Sequence, residues 1–194
     1  DTVHTRGGHA NEEPLAQFAW RLCFDSQNTV LYQPKLCKPA AAAEQWYGAS
    51  LDRMVRHLVT NKLLGIIECK FSFQGVPIHP QMEHLVQVMQ QMRVTQMKRC
   101  CLIYGCRMRR AADGSGTVLA EVMPASDKPL DGALCVRIFL VEYSEPLWQW
   151  MYRRMLQVRA GRDDDMPPKV YEYARHVWFE SPKCMTADAC SICQ

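Results

Sequence analysis

The stretch Gly65-Ile66-Ile67-Glu68-Cys69-Lys70-Phe71 decides how this chain is read. With Leu63 and Leu64 it forms an apolar run after the turn-like Asn61-Lys62, which predicts a strand over residues 63–71. Side chains alternate along a strand, so Glu68 and Lys70 share one face while Ile67 and Cys69 take the other. A charge planted in an apolar strand must be paired or must hold a metal. A simple Glu–Lys pair near a sheet edge meets that need, and on these residues alone it is the plainer account.

The upstream sequence changes the balance. Gly48-Ala49-Ser50-Leu51-Asp52 leads into a second β-like segment, residues 52–59, and the short turn after it makes a hairpin with 63–71. Asp52 then comes within reach of Glu68. Two neighbouring carboxylates repel unless a divalent cation neutralises them, and Mg²⁺ is commonly held by one or two carboxylates plus substrate phosphate oxygens. Lys70 in such a site would orient or deprotonate an attacking water, or stabilise negative charge on phosphorus.

Outward from the hairpin the elements follow in a regular order. Leu15, Phe18 and Leu22 have helical spacing, predicting a helix over residues 12–25 with Asn11 as its cap and Pro14 in its first turn. Residues 29–33 are β-like. Pro80 opens a second helix to residue 95 with Leu85, Val88, Met89 and Met92 as its apolar stripe. Residues 99–107 form a buried strand, and Asp113-Gly114-Ser115-Gly116 a turn. Residues 117–123 and 135–143 are further strands. A third helix starts at Ser144-Glu145-Pro146 and runs to 158 with Leu147, Met151 and Leu156 inward. The order predicts an α/β (α+β) domain with a mixed sheet.

Composition bounds the rest. The 194 residues suffice for one substantial core, and 48% hydrophobic with 22% charged residues is ordinary for a globular domain. No run approaches the roughly 18 apolar residues of a membrane span, and the polar residues 1–11 have no apolar segment of a secretory signal. Without an initiator Met the chain reads as a processed product or an excised domain. The net charge of +3 is weak evidence for any polyanionic partner. Ten cysteines, scattered through apolar segments, read as buried thiols in a reducing intracellular compartment: cytoplasm, nucleus or organelle matrix. Cys184, Cys190 and Cys193 offer three of the four ligands that a structural zinc needs.

With these residues in view, Asp52…Glu68-x-Lys70 resembles the PD-(D/E)xK nuclease signature, and its surroundings resemble the lambda-type exonuclease or YqaJ-like viral recombinase family. Trp46-Tyr47-Gly48-Ala49-Ser50-Leu51-Asp52-Arg53-Met54-Val55 is similar to that family's GASPDGLV segment, and Gly65–Lys70 to its GLLEVK strand. His84-Leu85-Val86-Gln87-Val88-Met89-Gln90-Gln91-Met92-Arg93-Val94-Thr95 resembles its YYxQVQxQMxVT helix. Asn11-Glu12-Glu13-Pro14-Leu15-Ala16 is similar to the start of its first catalytic helix. The likeness spans residues 11–158. Leu51 stands where the family has Pro, and Phe71-Ser72 where it has Cys-Pro.

The resemblance implies a restriction-endonuclease-like mixed sheet flanked by helices, with a nuclease core over residues 1–160 and a Cys-containing extension, 161–194, packing on it. It implies Mg²⁺ or Mn²⁺ on Asp52, Glu68 and Glu13, with Glu12 as the alternative to Glu13, and a backbone carbonyl from Ile67 or Cys69. Lys70 would be the catalytic lysine, and Gln87 would touch the active-site end of the substrate. Ser50, Arg99, Arg107, Arg109 and Arg110 are the expected nucleic-acid contacts. The family's 5′-phosphate pocket does not map onto residues 1–10. The implied activity is 5′→3′ hydrolysis of duplex DNA ends in recombination or genome processing, with a homo-oligomer (a trimer by resemblance) or a recombination protein as partner and no membrane. The rivals are a nuclease fold used only for binding within a larger assembly, and an endonuclease acting on RNA or branched DNA.

Overall fold

In a computed structural model, which describes residues 3–72, 75–110, 117–119, 133–160 and 178–184, the apolar run forms strand β3 (Leu63–Phe71). It pairs antiparallel with β2 (Arg53–His57), Arg53 opposite Ile67, and β1 (Thr29–Tyr32) adds antiparallel outside β2. On its other side β3 pairs in parallel with β4 (Arg99–Arg110). A parallel neighbour needs a crossover, and helix α2 (Met82–Thr95) supplies it. β6 (Ala133–Glu142) and β7 (Trp178–Cys184) continue the sheet antiparallel, and β5 (Thr117–Leu119) pairs with the far end of β4. The order is β1-β2-β3-β4-β6-β7, a mixed sheet with helices on both faces, as the sequence predicts.

The alternation of β3 sorts the two faces. Ile67 and Cys69 join Val55, Cys101, Ile103 and Ile138 in packing against Leu15, Ala16 and Ala19 of helix α1 (Val3–Cys23). Met54, Ile66, Leu102, Tyr104 and Phe139 face α2 and helix α3 (Glu145–Arg159), meeting Leu85, Val88, Met92, Leu147 and Trp148. The α1 face is tight. Gly105 lies under Leu15, where a Cβ would come within 2.5 Å of the leucine side chain, and Gly65 lies under the Phe24 ring.

Three expectations need correction. Asn11 and Pro14 do not open α1; the helix starts at Val3, Asn11 is buried inside it, and Pro14 sits within its length. An amphipathic period marks only the part of a helix that covers the core, and the polar residues before Asn11 carry none. In α3, Leu147 and Met151 are buried but Leu156 is exposed, because the last turns run past the core. Residues 178–184, read as part of a packing extension, instead form a strand of the sheet. Among the described residues β7 pairs on one side only, with β6, and an edge strand tolerates Pro182. The turn at 113–116, residues 120–123, Cys190 and Cys193 lie outside the described residues. Among the described residues no helix is long and apolar enough to cross a membrane. Cys23, Cys37, Cys69, Cys100, Cys101 and Cys106 are free thiols.

Candidate active site

The hairpin and the crossover helix build one site on the α2 face. The backbone ladder of β2 and β3 ends at Arg53–Ile67, and the side chain of Asp52 takes the next rung: the Cys69 N–H donates to Asp52 Oδ2 at 2.7 Å. Glu68, only 1% exposed, points under α2. Its Oε1 accepts from Lys70 Nζ (2.6 Å) and Gln87 Nε2 (2.6 Å), and its Oε2 from Gln91 Nε2 (2.7 Å). Lys70 Nζ also donates to Gln87 Oε1 at 2.8 Å. The burial of this carboxylate is thus offset by an ion pair and two amides, as a buried charge requires. Gln91 also donates to the Ser50 carbonyl (2.9 Å) and Gln90 to the Gly48 carbonyl (2.6 Å). These two bonds fasten the loop before Asp52 to the helix.

Lys70 offsets the charge of Glu68, and the cost of a second carboxylate beside it falls on Asp52. Burial, then the charge of Glu68, then a hydrogen bond with Glu12, push the Asp52 carboxyl up to about 8. A proton relieves this repulsion, and so does a hard divalent cation, for which carboxylate oxygens are suitable donors. Among the described residues no group of three or more His, Cys, Asp or Glu is arranged to hold a metal. A zinc-like cage is therefore absent from them, whereas Mg²⁺ needs only one or two protein carboxylates and keeps waters and phosphate oxygens. The donor set fits Mg²⁺ or Mn²⁺.

The structure brings Asp52, Glu68, Lys70 and Gln87 together. Of the two acids in α1, Glu12 hydrogen-bonds Asp52, whereas Glu13 turns to Arg53, which donates to Glu13 Oε2 from Nε at 3.0 Å and from Nη2. Arg53 lies on the α1 side of the sheet and comes within 3.8 Å of Glu12 as well. Ile67 is in the paired ladder, while Cys69 lies just beyond it, beside Asp52, with its thiol buried on the α1 face. Ser50 is exposed, and its carbonyl serves Gln91. Arg99 is not brought to the site. It stands at the start of β4, and its guanidinium holds Glu142 at 2.8 Å. Arg107, Arg109 and Arg110 lie at the other end of β4, beyond its pairing with β3; their side chains fall outside the described residues.

Sequence reasoning missed Gln91, although its signal was legible: Gln87 and Gln91 are four residues apart and so share one helix face. It also left out His84, Tyr104 and Arg137, taken up below.

The mixed sheet and its flanking helices match a nuclease-like fold. The crystal structure of an alkaline exonuclease, LHK-Exo, from Laribacter hongkongensis is similar with a TM-score of 0.50 at 16% identity, over 84% of this chain and 70% of that one. The structure of LHK-Exo in complex with dAMP aligns with a TM-score of 0.47, also at 16% identity, over 84% and 76%. At this identity the likeness speaks for the fold. No protein-family model matches the chain, and no curated protein does.

Proposed function

We propose that this chain is a divalent-metal-dependent nuclease, and in its specific form a 5′→3′ exonuclease acting on duplex DNA ends. The observation that carries the reading is the placement of Asp52 against Glu68, with Lys70 bonded to the latter. Asp52 and Glu68, with the Cys69 carbonyl beside them, would hold Mg²⁺ or Mn²⁺, and Glu12, hydrogen-bonded to Asp52 from α1, would orient that carboxylate. Such an ion supplies Lewis-acid stabilisation of the charge that develops on phosphoryl oxygens. The protein's own groups do the rest. An ammonium has three N–H donors. Lys70 gives one to Glu68 and one to Gln87, which leaves the third for an attacking water or a phosphate oxygen. Gln87 and Gln91 fix the orientation of Glu68 so that it need not reorganise during the reaction. On this reading the partners are DNA ends and further copies of the chain or a recombination protein, and the free thiols suit a reducing compartment.

End-labelled linear duplex, circular duplex and single strands, each incubated with Mg²⁺ or EDTA, test the proposal. Mg²⁺-dependent loss of linear duplex from its 5′ ends is expected, together with loss of cleavage in Lys70→Ala and Glu68→Gln at unchanged far-UV circular dichroism. Cleavage of circles would make the enzyme an endonuclease. Full activity in either variant, or binding without cleavage by the native chain, would refute the site.

A further inference from the structure

One row across the sheet contains polar groups that the mechanism above does not use. Lys70 on β3 stands opposite Tyr104 on β4, and Tyr104 stands opposite Arg137 on β6. Tyr104, like Phe139 two residues beyond Arg137, faces α2 and α3, so the alternation along β6 puts Arg137 on the Lys70 face. Adjacent strands lie about 4.8 Å apart, so the backbones of Lys70 and Arg137 are separated by roughly 10 Å.

Above Tyr104, in the first turn of α2, sits His84, and its tautomer follows from its neighbours. The Gln81 N–H donates to the Tyr104 hydroxyl at 3.1 Å, and that hydroxyl lies 2.8 Å from His84 Nδ1. Burial raises the Tyr104 pKa, so the hydroxyl keeps its hydrogen and donates it to Nδ1. Burial and the charge of Lys70 push the imidazole down to about 4, which keeps the ring neutral. The one ring hydrogen is then on Nε2. The nearest carboxylate to Nε2 belongs to the exposed Glu83, at 4.0 Å, beyond hydrogen-bond length. His84 therefore offers a fixed N–H donor close to Lys70. Arg137 is anchored by its Nη1, which donates to the Pro77 carbonyl at 2.7 Å. A guanidinium is charged at any working pH and matches the geometry of phosphate oxygens.

We propose that His84 and Arg137, on either side of Tyr104, form a second phosphate subsite that takes the oxygens of the phosphodiester next to the one cleaved at Asp52, Glu68 and Lys70. The inference rests on the nuclease reading and extends it by assigning substrate-positioning groups. Tyr104 acts through His84 as a positioning residue, setting which nitrogen faces the substrate.

The test uses the full chain with short duplexes carrying a neutral methylphosphonate at the linkage that follows the 5′-terminal bond to be cleaved. In the native protein, neutralising this linkage should raise KM about tenfold with little change in kcat, the size of one charge-assisted hydrogen bond. In His84→Phe and Arg137→Met, KM for ordinary substrate should rise by a similar factor, and the modified linkage should add less than twofold. His84→Gln, which keeps an N–H near the Nε2 position, and Arg137→Lys should recover most of the loss, whereas a purely structural role would not show such rescue. Indifference of the native protein to the neutral linkage, or a penalty that persists undiminished in the variants, overturns the subsite. The first of these needs no variant to fold. Absence of Mg²⁺-dependent cleavage would refute the nuclease reading instead. The same comparisons made on Kd in EDTA, by fluorescence anisotropy, would then decide the subsite separately.

Discussion

Replacing Gln91 by leucine should cost more stability than any other single amide change in the molecule's described part. Gln91 is 1% exposed, and its Nε2 serves two acceptors, Glu68 Oε2 at 2.7 Å and the Ser50 carbonyl at 2.9 Å. The bond to the carboxylate is charge-assisted and contributes about 1.5–3 kcal/mol, while the bond to the carbonyl contributes about 1 kcal/mol. Leucine supplies no donor, so both acceptors stay buried and unsatisfied, and the apolar gain from a side chain packed against a carboxylate is small. The expected loss is about 3 kcal/mol, which in a domain of this size lowers Tm by roughly 6–12 °C. Gln90→Leu is the internal comparison. It removes one neutral bond, to the Gly48 carbonyl, from a half-buried amide. Its cost is about 1 kcal/mol, or roughly 2–4 °C. Calorimetry of both variants beside the native protein, in EDTA at one pH, reads the difference. A Gln91→Leu shift below that of Gln90→Leu would show that Glu68 does not depend on its helix amide for burial, and the account of the site would fail with it.

Two further outcomes follow from the same geometry. The Asp52 carboxyl sits at about 8 in the folded protein against about 4 unfolded, so between those values the native state binds more protons and stability falls as pH rises. The Tm of metal-free protein should therefore decline from pH 5 to 8, and Asp52→Asn should flatten that part of the profile; an unchanged slope in the variant would discount the raised value. The two acids of α1 should separate cleanly. Glu12→Gln should weaken Mn²⁺ binding measured by calorimetry, whereas Glu13→Gln should leave it within about twofold and cost under about 1 kcal/mol, because Glu13 is exposed and pairs with Arg53 and Gln17. Equal effects on the metal would return Glu13 to the site.

Much of this architecture is legible in the residues. The hairpin, the crossover helix and the pairing of Asp52 with Glu68 and Lys70 all follow from period-2 alternation and one turn, because those signals are local. What escaped was set by a single residue of register or by distant partners. Adjacent helix positions differ by about 100° in direction, so the sequence Glu12-Glu13 does not say which acid faces Asp52; the packing of Leu15, Ala16 and Ala19 on the sheet decides it. β7 is broken by Glu180 and Pro182 and becomes a strand only because β6 offers it an edge. His84 looked unremarkable because its partner, Tyr104, is twenty residues away, on the strand that α2 packs against.

The sequence spacing of the site has a consequence for its assembly. Asp52, Glu68 and every donor bonded to the Glu68 carboxylate lie between residues 52 and 91. Loops of this length close at little entropic cost, and contacts of short range form early. In a chain emerging from the ribosome these residues leave ahead of β4. Glu68 can meet Lys70 and its two amides while still in water, and β4 then closes against a charge already accompanied. The order of synthesis spares the folding chain the step it could least tolerate, the burial of a bare carboxylate.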